Sequence, residues 1–121
     1  MRDYKKEYEE RVAFIRDLLE KSGAKGIVYG NSGGKASALV GILCKAACDN
    51  TVGIIMPCAS KRNFGQDAED ARIAADQYGI ETRFIDLTPV REAEMQQLSS
   101  LTEVTPAAAV NIAPRLRMTT L

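Results

Sequence analysis

The residues best suited to chemistry in this chain lie in GIVYGNSGGKASALVG, residues 26–41. Gly30, Gly33 and Gly34 can adopt positive φ and let a ligand approach the backbone with no Cβ in the way. Successive N–H groups in such a turn form an anion-binding nest, and a helix starting there adds the positive end of its dipole. Ser32 and Ser37 offer hydroxyls and Lys35 a mobile cation. Together these groups suit a pyrophosphate. Spacing excludes two common phosphate loops. G-x-x-x-x-G-K-[ST] fails because Gly30 precedes Gly34 by one residue too few and Ala36 stands before Ser37, and G-x-G-x-x-G does not match. On composition alone, a tight strand-to-helix turn that needs glycine stays open.

The rest of the reactive inventory is sparse. There is no histidine, which removes the usual general base near neutral pH. Any chemistry must therefore depend on positioning and charge stabilisation. The three cysteines, Cys44, Cys48 and Cys58, give no disulfide framework, and a zinc site would need a further ligand from a carboxylate or a second chain. They read as structural thiols that behave as small hydrophobes.

Strands and helices must position the glycine turn. Tyr4, Tyr8, Val12, Ile15 and Leu19 recur every three or four residues, which predicts an amphipathic helix over 3–22 with Gly23 as its cap. GIVYG (26–30) and TVGIIM (51–56) read as strands buried on both faces, as in a parallel sheet. Residues 37–48 between them supply a crossover helix. A polar loop, CASKRNFGQ, follows Pro57. The next helix carries Ala68, Ala71, Ala75 and Tyr78 on one face and stops at Gly79. ETRFIDL (81–87) is a third strand, Thr88 caps a helix that opens at Pro89, and residues 99–110 read as a surface connection. Asn111 caps a last helix with Pro114 in its first turn.

This alternation predicts a single α/β domain over 1–121, a doubly wound, Rossmann-like parallel sheet with flanking helices. In such sheets ligands sit at the carboxyl ends of strands, so the glycine turn, the loop after Met56 and the turn after Asp86 share one rim. The chain stops on RLRMTTL, a helical pattern without a cap, which predicts an incomplete domain cut from a longer protein.

Composition narrows the partners. At 121 residues, 45% apolar and 26% charged, the chain is of globular type. Its formal net charge of zero indicates no field-driven partnership with nucleic acid or an anionic membrane. No apolar run approaches the ~20 residues of a bilayer span. The charged N-terminus lacks a signal peptide's apolar segment, so the cytoplasm is expected.

SGGKAS, between a strand and a helix, resembles the S-G-G-x-D-S loop of the ATP pyrophosphatases. Three further stretches narrow the resemblance to ammonia-dependent NAD synthetases. IIMPCAS is similar to their second strand and its proline-containing exit, GQDAEDARIAADQYGI to their Q-D-x-x-D-A helix, and VNIAPRLRM to their N-x-x-A-R-x-R-M helix. The four occur in family order over nearly the whole chain.

The resemblance implies an adenine nucleotide alpha-hydrolase-like fold and an ATP-dependent amidation. ATP adenylates the carboxylate of deamido-NAD (nicotinic acid adenine dinucleotide), and ammonia then gives NAD and AMP. It implies that Gly30, Asn31, Ser32, Gly33, Gly34, Lys35 and Ser37 cradle the ATP phosphates. Met56 and Gln66 would lie near the adenine, and Arg115 and Arg117 near the phosphates and deamido-NAD. It also implies Mg²⁺ and a homodimer. With no glutaminase domain in these residues, ammonia is the simpler nitrogen source.

Three departures stand out. Ala36 occupies the position of the loop aspartate that helps to hold Mg²⁺, Asn31 replaces a usually apolar residue, and Pro114 replaces an alanine. The acids Asp67, Glu69 and Asp70 need no role beyond favouring a helix N-terminus. Two other functions remain open at this point. One is a non-catalytic domain that binds ATP or AMP without turnover. The other is tRNA sulfur transfer, which the balanced charge and the buried-type cysteines disfavour.

Overall fold

The computed structural model describes residues 2–59 and 63–121. Three parallel strands form one sheet in the order β1 (Ile27–Gly30), β2 (Thr51–Ile55), β3 (Glu81–Phe84). Ile27 stands opposite Thr51 and Gly30 opposite Ile54, while Val52 pairs with Glu81 and Ile55 with Phe84. The helices are α1 (Tyr4–Ser22), α2 (Lys35–Ala47), α3 (Ala68–Gln77), α4 (Thr88–Leu101), α5 (Pro106–Ala109) and α6 (Ile112–Thr120). A single π-helical turn, Asn63–Asp67, leads into α3. Strands joined by helices in a parallel sheet meet the α/β expectation.

Alternation along the strands sorts side chains onto two faces. Tyr29 and Ile55 lie on the face covered by α2 and α3, where Tyr29 packs with Ala75 and Ile80, and Ile55 with Ala68 and Ala71. Glycines make room for the tyrosine ring: a Cβ at Gly53 would lie 2.9 Å from Tyr29 Oη, and one at Gly41 would run into the ring. On the opposite face Ile54 meets Ala113 and Leu116 of α6, together with Met56, Cys58 and Leu87. Helices therefore approach both faces, but α6 reaches only the carboxyl end. Val28, on the open part of that face, is 49% exposed.

This corrects the expectation that both early strands are buried on two faces. β2, between two neighbours, buries Thr51, Gly53 and Ile55, whereas β1 is an edge among the described residues and buries only Tyr29. The third strand is shorter than 81–87. Its ladder ends at Phe84, yet Ile85 N–H still donates to Ile55 O and Leu87 N–H to Pro57 O, both at 2.9 Å. The exits from β2 and β3 thus stay side by side.

Helix ends follow from local chemistry. Asp3 caps α1 by accepting from Lys6 N–H at 3.1 Å, and Gly23 closes it in the left-handed region at φ +72°. Val12 is the buried residue of α1, while Tyr4 and Tyr8 are exposed. Arg16 of α1 donates to Ala46 O and Ala47 O, satisfying the last carbonyls of α2. Thr51, 2% exposed, donates its hydroxyl towards Cys44 O and Cys48 O beyond the same helix end.

Several predicted features differ. Tyr78 caps α3 and is exposed rather than sharing the buried face of Ala68, Ala71 and Ala75. Leu87, not Thr88, holds the cap position of α4. Asp86 Oδ1 accepts from Thr88 N–H at 2.9 Å, while the Thr88 hydroxyl accepts from Ala59 N–H. Asn111 precedes α6 without a side-chain capping bond, and its amide Nδ2 donates back to Ala107 O at 2.8 Å. The supposed surface connection over 99–110 contains the end of α4 and all of α5, which Thr105 caps and Pro106 opens. Of the polar loop after Pro57, residues 60–62 lie outside the described residues.

Among the described residues no helix is long and apolar enough to cross a membrane. Cys44 and Cys58 are buried and Cys48 is half-buried, all as free thiols. Burial pushes the Cys44 and Cys58 thiols above the ordinary range, which keeps them protonated and unreactive near neutral pH.

Candidate functional site

A cleft of about 380 Å³ opens at the carboxyl end of the sheet. Gly30, Asn31 and Ser32 form one wall, and Ile54 to Pro57 the floor. Asp67 and Ala68 contribute the start of α3, while Pro114, Arg117 and Met118 of α6 close the far side with Leu121. The volume is within the range of small-molecule pockets. Its position is where parallel sheets bind ligands, because the helices after the strands start there and direct their N–H groups outward. Both α2 and α3 begin at this rim.

The turn leaving β1 is held by its own side chains. Asn31 is 4% exposed; its Nδ2 donates to Ala71 O at 3.0 Å and its Oδ1 accepts from Gly33 N–H at 3.2 Å. Ser32 N–H donates to Ser37 Oγ at 3.2 Å, and Gly34 N–H to Ser32 Oγ at 3.3 Å. The two serine hydroxyls lie 3.1 Å apart. Of the three glycines, only Gly33 uses positive φ, at +85°. Its Cα lies against α3's lead-in, so that a Cβ there would be 2.5 Å from Asp67 O. Gly34 is extended at φ −83° and acts as the cap residue of α2. At Gly30 a Cβ would lie 3.1 Å from Met56 Cε, a tight contact with the movable end of a side chain.

Arg117 Nε donates to Met56 O at 2.9 Å. That bond ties α6 to the end of β2 and fixes the guanidinium at the cleft. Arginine suits a place beside an oxyanion, since its planar guanidinium carries five N–H donors in a fixed fork.

The structure thus brings Gly30, Asn31, Ser32, Met56 and Arg117 around one cavity, with Ser37 bonded behind Ser32 and with Gly33 and Gly34 forming the turn. It does not bring Gln66, Arg115 or Lys35 there. Gln66 is exposed, its amide on Asp70 Oδ1 at 2.6 Å. Arg115 lines a separate groove with Glu94, Leu98 and Asn111. Lys35 opens α2 exposed to solvent. Asp67, Ala68, Pro114 and Met118 line the cleft without having been singled out for it. For Asp67 a signal existed: it is adjacent to Gln66, and the π turn delivers it rather than Gln66 to the rim.

The described residues of the cleft offer a divalent cation a single carboxylate, that of Asp67. Ala36, at the position where the loop resemblance leads one to expect a carboxylate, lies exposed in the first turn of α2. Asp67 is the acid among the cleft residues, and among the described residues no three His, Cys, Asp or Glu side chains gather as a metal site.

The chain is a parallel α/β sheet with a glycine–serine turn and an arginine at its carboxyl rim, the edge at which such sheets bind ligands. The NAD synthase family matches residues 7–121, and the chain belongs to that family. The NH3-dependent NAD+ synthetase of Finegoldia magna is 39% identical over 120 residues, covering 98% of this chain and 48% of its own length. The solved NH3-dependent NAD synthetase of Campylobacter jejuni, in complex with nitrate, superposes with a TM-score of 0.84 at 32% identity over 99% of this chain and 51% of that one. The NMN synthetase of Francisella tularensis superposes at 0.89 with 28% identity over 100% of this chain and 49% of that one. The chain spans about half the length of the curated relatives it matches.

Proposed function

We propose that residues 1–121 form the nucleotide-binding half of an NAD synthetase of the ammonia-dependent type. The observation that carries this reading is the convergence of the Gly30–Ser37 turn, two helix N-termini and Arg117 on one cleft. The turn and the start of α2 receive the ATP phosphates, and Met56 packs towards the adenine. Arg117 stabilises phosphate charge. In the reaction, a carboxylate oxygen of deamido-NAD attacks the α-phosphorus of ATP and pyrophosphate leaves. Ammonia then attacks the acyl carbon and AMP departs. No step needs histidine, since the anhydride is already activated and the protein's part is orientation and charge stabilisation.

Homodimerisation and a cytoplasmic location belong to the same proposal. The second reading is a domain that binds ATP or AMP without turnover, which Ala36 favours. The likeness to an NMN synthetase makes the mononucleotide acid a necessary competitor in any assay.

Calorimetric titration of this chain with ATP and AMP tests binding. NAD formation from deamido-NAD, ATP, Mg²⁺ and ammonia, with the chain joined to a relative's second half, tests turnover. Binding with turnover supports the synthetase, and binding without it supports the second reading. Absence of ATP binding refutes both.

A further inference from the structure

We infer that Asn31 is the positioning residue of the anion turn, acting through Gly33 rather than by direct contact with the nucleotide. The inference rests on the nucleotide-binding reading of the cleft. Asn31 is an amide 4% exposed where an apolar residue would suffice to fill space, and both ends of that amide are engaged by protein. Nδ2 donates to Ala71 O of α3 at 3.0 Å, at a residue with no exposed surface, and Oδ1 accepts from Gly33 N–H at 3.2 Å. The Ser37 hydroxyl also points to Oδ1 at 3.5 Å, the limit for such a bond.

This places one side chain between the turn and the helix behind it. Gly33 is the residue of the turn at positive φ, and it is pressed against Asp67 O at the start of the same helix. Without the Oδ1 acceptor, the Gly33 N–H loses its partner and the turn is held only by the serine hydroxyls on either side, which leaves glycine freer to leave that φ. The turn that carries the Ser32 and Gly34 N–H groups then loses one of its fixed points. The main-chain bond from Asn31 N–H to Ile54 O, at 2.9 Å, keeps the residue in line with β2 whatever its side chain. Replacement of the amide therefore tests the side chain alone.

The experiment compares Asn31→Leu, Asn31→Asp and the control Thr51→Val in the whole 121-residue chain. Thr51→Val removes a buried hydroxyl's bonds at the far end of β2 and lowers stability without touching the turn. Exchange of the Gly33 amide hydrogen is followed by NMR, and ATP affinity by titration.

Asn31→Leu is expected to speed Gly33 exchange and weaken ATP binding by about tenfold each, the scale of one buried hydrogen bond. Asn31→Asp keeps the Oδ1 acceptor but sets a second oxygen, in place of Nδ2, against Ala71 O, so its Gly33 amide exchanges faster than the parent's and slower than that of Asn31→Leu. Thr51→Val changes neither, despite a comparable loss of thermal stability. Unchanged Gly33 exchange in Asn31→Leu overturns the inference, as does equal loss of ATP affinity in Thr51→Val. Should the unaltered chain bind no ATP, the nucleotide reading fails, and Gly33 exchange still decides the role of Asn31. If Asn31→Leu does not fold, the unaltered chain decides: a Gly33 amide that exchanges as fast as a solvent-exposed turn amide overturns the inference, and slow exchange supports it.

Discussion

Gly33→Ala separates close approach from backbone freedom. Gly23, Gly33 and Gly79 all have positive φ, at +72°, +85° and +65°. Alanine in the left-handed region costs roughly 1–2 kcal/mol wherever it occurs. At Gly23 and Gly79 the new methyl meets nothing within 4 Å, so that cost is the whole effect. At Gly33 the methyl lies 2.5 Å from Asp67 O and 3.3 Å from Asp67 Cα, both backbone atoms that cannot rotate away. Overpacking of this kind adds roughly 1–3 kcal/mol, giving about 2–5 kcal/mol in all. At ~4 °C per kcal/mol for a domain of this size, Gly33→Ala lowers Tm by about 8–20 °C, and Gly79→Ala by about 4–8 °C. Urea titrations followed by circular dichroism give the three differences, and calorimetry gives ATP affinity for each variant. If the turn yields instead of the whole domain, the loss appears as weaker ATP binding in Gly33→Ala alone. Equal stability of Gly33→Ala and Gly79→Ala, with equal ATP affinity, refutes the reasoning.

Three further outcomes are expected. Arg117→Met weakens ATP binding by about ten- to a hundredfold, the scale of a lost charge-assisted bond, whereas Arg115→Ala stays within about twofold; the reverse ranking in a titration would reassign the phosphate arginine. Ala36→Asp makes ATP binding cation-dependent, weaker than the parent in EDTA and tighter in excess Mg²⁺, and identical affinities under both conditions would remove any metal role from position 36. Folding stability falls as pH rises above about 8.5, because burial raises the Cys44 and Cys58 thiols and the Tyr29 hydroxyl in the folded chain. The unfolded chain loses these protons first, so the stabilisation is complete below the unfolded thiol pKa and is lost as pH rises through the folded values. Urea midpoints that climb between pH 8 and pH 10 would contradict the sign.

The end of α1 at Gly23 and the buried character of the second strand were legible. Gly23 ends α1 by its own backbone freedom, and TVGIIM reads as buried because β2 is central. The glycine–serine turn was equally legible, as its serines are five residues apart and bond to each other's surroundings. What could not be read depends on azimuth and on distant partners. Arg115 and Arg117 are two positions apart on one helix, hence about 200° apart around it, and sequence does not say which faces the cleft. The carbonyl of Met56, far away in the chain, decides for Arg117. Likewise Asp67 and not Gln66 reaches the rim, at the end of the π turn that leads into α3. Thr88 carries a capping residue's chemistry, but Ala59 N–H claims its hydroxyl.

The serines explain how a turn can be both preformed and receptive. In the chain as it stands, Ser37 Oγ accepts from Ser32 N–H and Ser32 Oγ accepts from Gly34 N–H, so the nest's donors are satisfied by hydroxyl oxygens. A phosphate that enters under the proposed function takes over those N–H groups. The displaced hydroxyls are not stranded, because a serine is donor as well as acceptor and can turn its O–H towards the same phosphate. Alanine at either position would leave an N–H without its partner in the empty turn, and a carboxylate would hold the N–H while repelling the ligand. Asn31 Oδ1, by contrast, need not let go of Gly33, since its own Nδ2 is anchored on Ala71 O. The turn therefore divides its labour: Asn31 keeps the fold of the nest, and Ser32 and Ser37 exchange their bonds when the anion arrives.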